Sequence, residues 1–164
     1  MPHPTILATS GGHRPSARLS WEVGPLTHHA VALAGVTGRA PRVCFVPTAS
    51  GDDPRLIATF YDNAWRHGWA ASHLSLLPMP NVEDLAEHLG RQDVVWVWAG
   101  SVAGLLALWR LPAGYATDDG AGLLYRGTEL HEVLTERDGA RAYAVEPGAD
   151  GTARETPLAA RLLR

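Results

Sequence analysis

The chain has 164 residues, 46% of them hydrophobic and 19% charged, with a net charge of -3 and a pI near 6.2. That is enough apolar chain for one domain with a substantial core, and too apolar for disorder. The acidic balance argues against nucleic acid or an anionic membrane as the main partner, because both attract a basic surface.

All 14 basic residues are arginine, and the absence of lysine excludes a Walker lysine, a Schiff-base lysine and a serine–lysine dyad. Cys44 stands alone, so it cannot form an internal disulfide, and its apolar strand pattern reads as a buried inert thiol. No long apolar run marks a membrane span and the N-terminus lacks the apolar core of a signal peptide, so the expected location is the cytoplasm.

Thr5 to Thr9 reads as a short first strand, followed by the turn Ser10-Gly11-Gly12-His13 and an irregular stretch from Arg14 to Gly24. Pro25 to Ala34 is expected to be a helix, opened by proline and stopped at Gly35. Arg42 to Pro47 is a second, buried strand, ending in the small polar turn Thr48-Ala49-Ser50-Gly51-Asp52. Asp53 can cap the next helix, with Pro54 in its first turn. Leu56, Ile57, Phe60, Tyr61, Ala64 and Trp65 then recur at helical spacing until Gly68. Ala71 to Leu77 is a third strand, and Asn81 is expected to cap a short helix through Leu89.

Asp93 to Trp98 is apolar, aromatic and β-branched, the composition of a strand covered on both faces. Ala99-Gly100-Ser101 follows as a tight turn, and Val102, Leu105, Leu106 and Trp109 fall at helical spacing, with Ser101 as N-cap. Strand and helix alternate four times, which predicts βαβ units. The expected fold is α/β, a mostly parallel sheet flanked by helices, as one domain over residues 1–164. After Leu111-Pro112-Ala113-Gly114 the pattern changes to short strands: Ala121 to Tyr125, Glu129 to Leu134, Ala140 to Glu146, and a last one within Thr152 to Leu163. The C-terminal third is therefore expected to hold antiparallel strands.

Phe45-Val46-Pro47-Thr48-Ala49-Ser50-Gly51-Asp52, Phe60-Tyr61, Gln92-Asp93-Val94, Leu105 to Arg110, Tyr115-Ala116-Thr117-Asp118-Asp119-Gly120 and Gly139 to Tyr143 form a series along the chain. Together these stretches resemble the peptidase E family, the aspartyl dipeptidases related to cyanophycinase. The resemblance implies a class I glutamine amidotransferase-like fold. It also implies a serine hydrolase that cleaves dipeptides with N-terminal aspartate; the expected ligand is a small peptide, and no cofactor or metal is expected.

In that family the Trp-Arg ending the helix leads to a further helix and strand, then to a glycine-flanked Ser-Ala-Gly nucleophile elbow and a segment carrying the catalytic histidine. Here Arg110 runs directly into Leu111-Pro112-Ala113-Gly114-Tyr115, and Ser-Ala-Gly occurs nowhere. The resemblance thus implies a domain shortened after Arg110, with little or no peptidase activity and no triad residue to carry over. The family's triple-glycine oxyanion turn is matched in part: Trp98 and Ala99 stand where two glycines are expected, and Gly100 keeps the third. The alternative is a non-catalytic binding or oligomerisation protein, because losing a helix and a strand should bare apolar surface that invites a dimer partner.

On local grounds Ser101 is the sharpest catalytic candidate, since Ala99-Gly100-Ser101-Val102-Ala103 meets the small-residue requirement of a nucleophile elbow. It would need a histidine to take its proton, and His13, after the first strand, is the best placed. Read structurally, Ser101 is an N-cap and His13 a solvated loop residue. Gly11-Gly12 and Ser50-Gly51 could cradle an anion such as a substrate carboxylate, or be ordinary tight turns. Asp118-Asp119 could be a paired acid/base site, but adjacent carboxylates on an extended chain point opposite ways, and a polar turn before Gly120 is the simpler reading. The eight histidines lack a metal-site spacing. Trp65, Trp96, Trp98 and Trp109 read as core and sheet packing.

Overall fold

The computed structural model describes residues 4–98, 114–147 and 153–163. Along the chain lie β1 (Thr5–Ser10), β2 (His13–Arg14), β3 (Glu22–Val23), α1 (Pro25–Leu33), β4 (Arg42–Val46), α2 (Pro54–Arg66), β5 (Ala70–His73), α3 (Leu85–Gly90) and β6 (Val94–Val97). Then come β7 (Gly114–Thr117), β8 (Ala121–Arg126), β9 (Glu129–Thr135), β10 (Ala142–Pro147), β11 (Ala153–Leu158) and β12 (Arg161–Leu162). The result is mixed α/β with several small sheets. It divides into two compact units: Pro15–Glu22 with Ala30–Trp109, and Met1–Arg14 with Val23–His29 and Arg110–Arg164. The helix proposed over Val102 to Trp109 lies outside the described residues.

The first of these units holds a parallel sheet in the order β5-β4-β6. Cys44 stands beside Ser72 and Val95, and Phe45 beside His73 and Trp96, so the two sets point to opposite faces. α2 covers the Phe45 face: Phe60 stacks on Phe45 at 4.8 Å and 10°. Trp96 and Trp98 meet Phe45 edge-on at 5.6 and 5.5 Å, and Trp21 closes the cluster at 4.9 Å from Trp98. Phe45 and Phe60 are fully buried. α3 lies on the other face, where His88 Nε2 is 3.5 Å from Cys44 Sγ.

α2 starts where the sequence places it, with Pro54 in the first turn and the Asp53 carboxylate accepting the Arg55 N–H at 2.8 Å. Its buried residues are Thr59, Phe60, Asn63 and Ala64. Asn63 is tolerated there because its amide donates to the carbonyls of Trp21 at 3.1 Å and Thr59 at 2.8 Å. The apolar stripe ends at Ala64, one helical step short of Trp65, which is 83% exposed rather than packed in the core.

α3 is capped by Asp84, which accepts the Glu87 N–H at 2.8 Å, not by Asn81. Asn81 is drawn back towards β5, where its side-chain oxygen accepts the Ser75 N–H at 2.9 Å. The third strand accordingly stops at His73 instead of running to Leu77. Asp93 ties the amino end of the sheet, receiving a two-pronged contact from Arg39 at 2.6 and 2.8 Å and the Arg42 N–H at 2.7 Å.

The other unit contains a four-stranded sheet, β1-β8-β9-β12, and a three-stranded antiparallel one, β11-β10-β7. The first strand is therefore not part of the parallel sheet. It pairs antiparallel with β8 along its whole length, from Thr5 opposite Arg126 to Ser10 opposite Ala121. An apolar run such as Ile6-Leu7-Ala8 fits either kind of ladder, and only the long-range partner decides. The antiparallel strands expected in the C-terminal third are present as β7 to β11, while β12 pairs parallel with β9. Leu123, Val133 and Ala142 form a buried cluster with Tyr125, Leu130 and Leu158 against it.

The start of α1 belongs to this unit. Glu136 accepts the Leu26 N–H at 3.1 Å, and the Thr27 hydroxyl donates to the Gly12 carbonyl at 2.5 Å. Among the described residues no helix is long and apolar enough to cross a membrane.

Candidate functional site

Parallel sheets bind ligands beyond the carboxyl ends of their strands. At the end of β4, Thr48–Ser50 make a single 3-10 turn, closed by Gly51 at φ 72°. The Ser50 and Gly51 N–H groups donate to the carbonyls of Pro47 at 2.8 Å and Thr48 at 2.9 Å. Those donors thus serve their own turn. Asp52 follows in the left-handed region at φ 53°. Its carboxylate accepts the Thr48 hydroxyl at 3.0 Å and the backbone N–H groups of Leu76 and Leu77, both at 2.8 Å. The nearest backbone cradle for an anion is occupied by the chain's own carboxylate.

His73, at the end of β5, was not singled out by spacing alone. Its ring meets the Tyr61 hydroxyl at Nδ1, 3.0 Å, and the Asn81 amide nitrogen at Nε2, 3.3 Å. The signal was present but indirect: a polar residue closing a parallel strand lies at the ligand edge by topology. Burial holds the His73 pKa down, with Asp52 acting the other way and His88 adding to the depression. Burial pushes the Tyr61 hydroxyl up.

Ala99, Gly100 and Ser101, the turn expected to offer oxyanion donors and the elbow serine, lie outside the described residues. Of the Ser101–His13 pair only His13 is described, in β2.

Gly11 and Gly12 both adopt positive φ, 96° and 91°. A Cβ on Gly11 would stand 2.6 Å from Asp119 Oδ1, and one on Gly12 would stand 3.0 Å from Thr27 Oγ1. Close packing accounts for both glycines, and a carboxylate oxygen already faces Gly11. Asp118 and Asp119 have separate partners: Asp118 accepts the Arg141 N–H at 2.9 Å, and Asp119 pairs with the Arg137 guanidinium.

Cys44 is fully buried, and burial pushes its thiol up, against a hydrogen bond with Ser72. That keeps it protonated and unreactive despite His88 beside it. No cluster of three or more His, Cys, Asp or Glu suited to a metal occurs among the described residues.

Burial also lowers the pKa of His29 and His67. A histidine whose folded pKa lies below its unfolded value supports folding above the unfolded value, 6.5, and loses that support as pH falls below it. Asp93, held far below the usual carboxylate range first by Arg39 and then by the Arg42 N–H, adds a second loss in strong acid. Stability is therefore expected to decline in two stages on acidification, starting below about pH 6.5. Thermal midpoints measured from pH 8 to about pH 2 check this, and a midpoint that rises between pH 6.5 and 5 contradicts it.

The sequence model of peptidase family S51 matches residues 7–128. Over 70 residues the chain is 41% identical to "Uncharacterized peptidase YgaJ" of Bacillus subtilis (strain 168), a match that covers 43% of this chain and 30% of that protein. The chain thus spans less than a third of the length of the curated relative it matches. No solved structure matches the chain. With the family match running from β1 through the carboxyl-edge loops to the end of β8, the chain belongs to peptidase family S51.

Proposed function

We propose that the chain is a cytoplasmic peptidase E-like scaffold, a class I glutamine amidotransferase-like α/β domain shortened after Arg110. In this reading it has little or no capacity to hydrolyse dipeptides with N-terminal aspartate. In an intact serine hydrolase of this kind a serine attacks the peptide carbonyl, a histidine shuttles the proton, and turn N–H groups hold the oxyanion. The observation that carries the reading is the run from Arg110 straight into Leu111-Pro112-Ala113-Gly114-Tyr115, which leaves no room for a Ser-Ala-Gly elbow in a chain of this family. The donors of the Ser50-Gly51 turn, spent on Pro47 and Thr48, also leave no open cradle there.

Steady-state hydrolysis of Asp-containing dipeptides tests this. Removing a triad leaves about 10³–10⁴-fold catalysis over water at most. The expected result is turnover far below the usual 1–10³ s⁻¹ of about that order for enzymes, unchanged by Ser101→Ala. Turnover at ordinary rates that Ser101→Ala abolishes would instead make Ser101 the nucleophile and His13 the first candidate base. Metal and cofactor play no part in this reading, and nucleic acid and membrane are not its partners.

A second reading, a non-catalytic binding or oligomerisation protein, is favoured by Val95 and Val97. They lie on the same face of β6 and are 45% and 67% exposed. Among the described residues β6 pairs only with β4. Exposed apolar surface of this kind invites a partner chain. Size-exclusion chromatography separates the two: a monomer that binds Asp-dipeptides supports the first, and an oligomer blind to them the second.

A further inference from the structure

We propose that the loop from Leu74 to Asn81, at the carboxyl end of β5, is an acid-released flap whose catch is the neutral His73 imidazole. The loop is tied at its base, where Ser75 N–H donates to Asn81 Oδ1 at 2.9 Å and Asn81 N–H to the Ser75 carbonyl at 3.2 Å. Its middle is held by the Leu76 and Leu77 N–H groups on Asp52. It carries two exposed apolar side chains, Leu77 at 56% and Met79 at 72%.

The bond to Ser75 fixes which way the Asn81 amide faces. With its oxygen on Ser75, its NH₂ group points at His73 Nε2, 3.3 Å away, and also donates to the His73 carbonyl at 3.3 Å. Nε2 must then accept, so Nδ1 carries the ring proton and donates to the Tyr61 hydroxyl at 3.0 Å. A second proton on the ring would put N–H against N–H at Nε2. Asn81 can relieve that conflict only by turning its amide, which gives up Ser75 and opens the base of the loop.

The charged and titratable groups that face His73 sharpen the effect. From α2 comes the Tyr61 hydroxyl, and from α3 His88, which disfavours a positive charge. From β4 the buried Cys44 thiol acts on Tyr61. From the loop after β4 comes Asp52, which favours the charge. Asp52 is also the carboxylate that anchors Leu76 and Leu77. One proton thus undoes the base of the loop, and the flap it frees borders the edge where parallel sheets take ligands.

The test is NMR on the full chain, following the His73 ring-proton shift against pH beside amide exchange. The protection factors of the Leu76, Leu77 and Asn81 amides are expected to fall about tenfold per pH unit through the His73 titration, the slope of one linked proton. Amides of β4 should hold. His73→Gln should abolish the step. Asn81→Asp supplies an acceptor for a protonated Nε2, so its loop should stay protected while His73 titrates at higher pH. Loop protection indifferent to the His73 titration overturns the proposal, as does a step that survives in either variant.

Discussion

Phe45→Ala is expected to destabilise the chain by about 3–5 kcal/mol, the cost of emptying a large aromatic site in a core. Phe45 is fully buried on the central strand of the parallel sheet, so its loss leaves a void that no neighbour on β4 can fill by a local turn. The ring stacks on Phe60 and meets Trp21, Trp96 and Trp98 at 6.4, 5.6 and 5.5 Å. Removing it strips ring contact from four aromatics at once, and tryptophan fluorescence should report the change directly. For a chain of this size the melting midpoint should fall by roughly 10 °C, at about 2–4 °C per kcal/mol. Urea denaturation followed by tryptophan emission checks the size, and a loss below 1 kcal/mol contradicts this packing.

Leu26→Ala is expected to cost about 2–5 kcal/mol in the unit that holds β1 and β8. Leu26 is fully buried and lies against two glycines. A Cβ on Gly122 would stand 3.2 Å from Leu26 Cδ2 and 3.0 Å from Thr9 Cγ2, and one on Gly12 would stand 3.9 Å from Leu26 Cβ. A side chain at 122 would crowd both Leu26 and Thr9, whereas Gly12 is limited by Thr27 and by its positive φ. Gly122→Ala should therefore cost less in the Leu26→Ala background than alone, with a coupling of about 0.5–3 kcal/mol. Strict additivity of the two changes would show that Leu26 and Gly122 do not share space. On the reading of the chain as one domain, Phe45→Ala and Leu26→Ala should lower the same cooperative transition.

What the sequence made legible was whatever is decided within one turn of helix or one strand. α2 was placed by Asp53 and Pro54 at one end and Gly68 at the other, because capping and proline geometry are local. β4 and β6 were legible because β-branched, two-sided apolar runs have few other uses, while β5, Ala70-Ala71-Ser72-His73, lacks that signal and its end was read too far along the chain. Trp65 was misplaced because its neighbour Asn63 takes the buried position through two backbone carbonyls, a bond no periodicity reveals. Asn81 has the chemistry of a cap but is claimed by Ser75 and His73, and Asp84 does the capping.

The candidate site was less legible than the fold. Glycines at Gly11, Gly12 and Gly51 signal tight turns equally whether an anion or the chain itself satisfies the turn. Here a carboxylate of Asp119 lies against Gly11, and Asp52 fills the Leu76–Leu77 cradle. His73 was passed over because its importance comes from where β5 ends, not from its neighbours in sequence.

The pairing of β1 with β8 also has a meaning in time. The ribosome makes Thr5–Ser10 before its partner strand Ala121–Arg126, which emerges only after more than a hundred further residues. At about 5–20 residues per second that is a wait on the order of ten seconds. Throughout it the parallel strands, whose ladders close over much shorter stretches, can assemble ahead of the N-terminus. A nascent chain halted before Ala121 should therefore hold a folded middle and an unsatisfied beginning, a sticky strand that chaperones would have reason to grip.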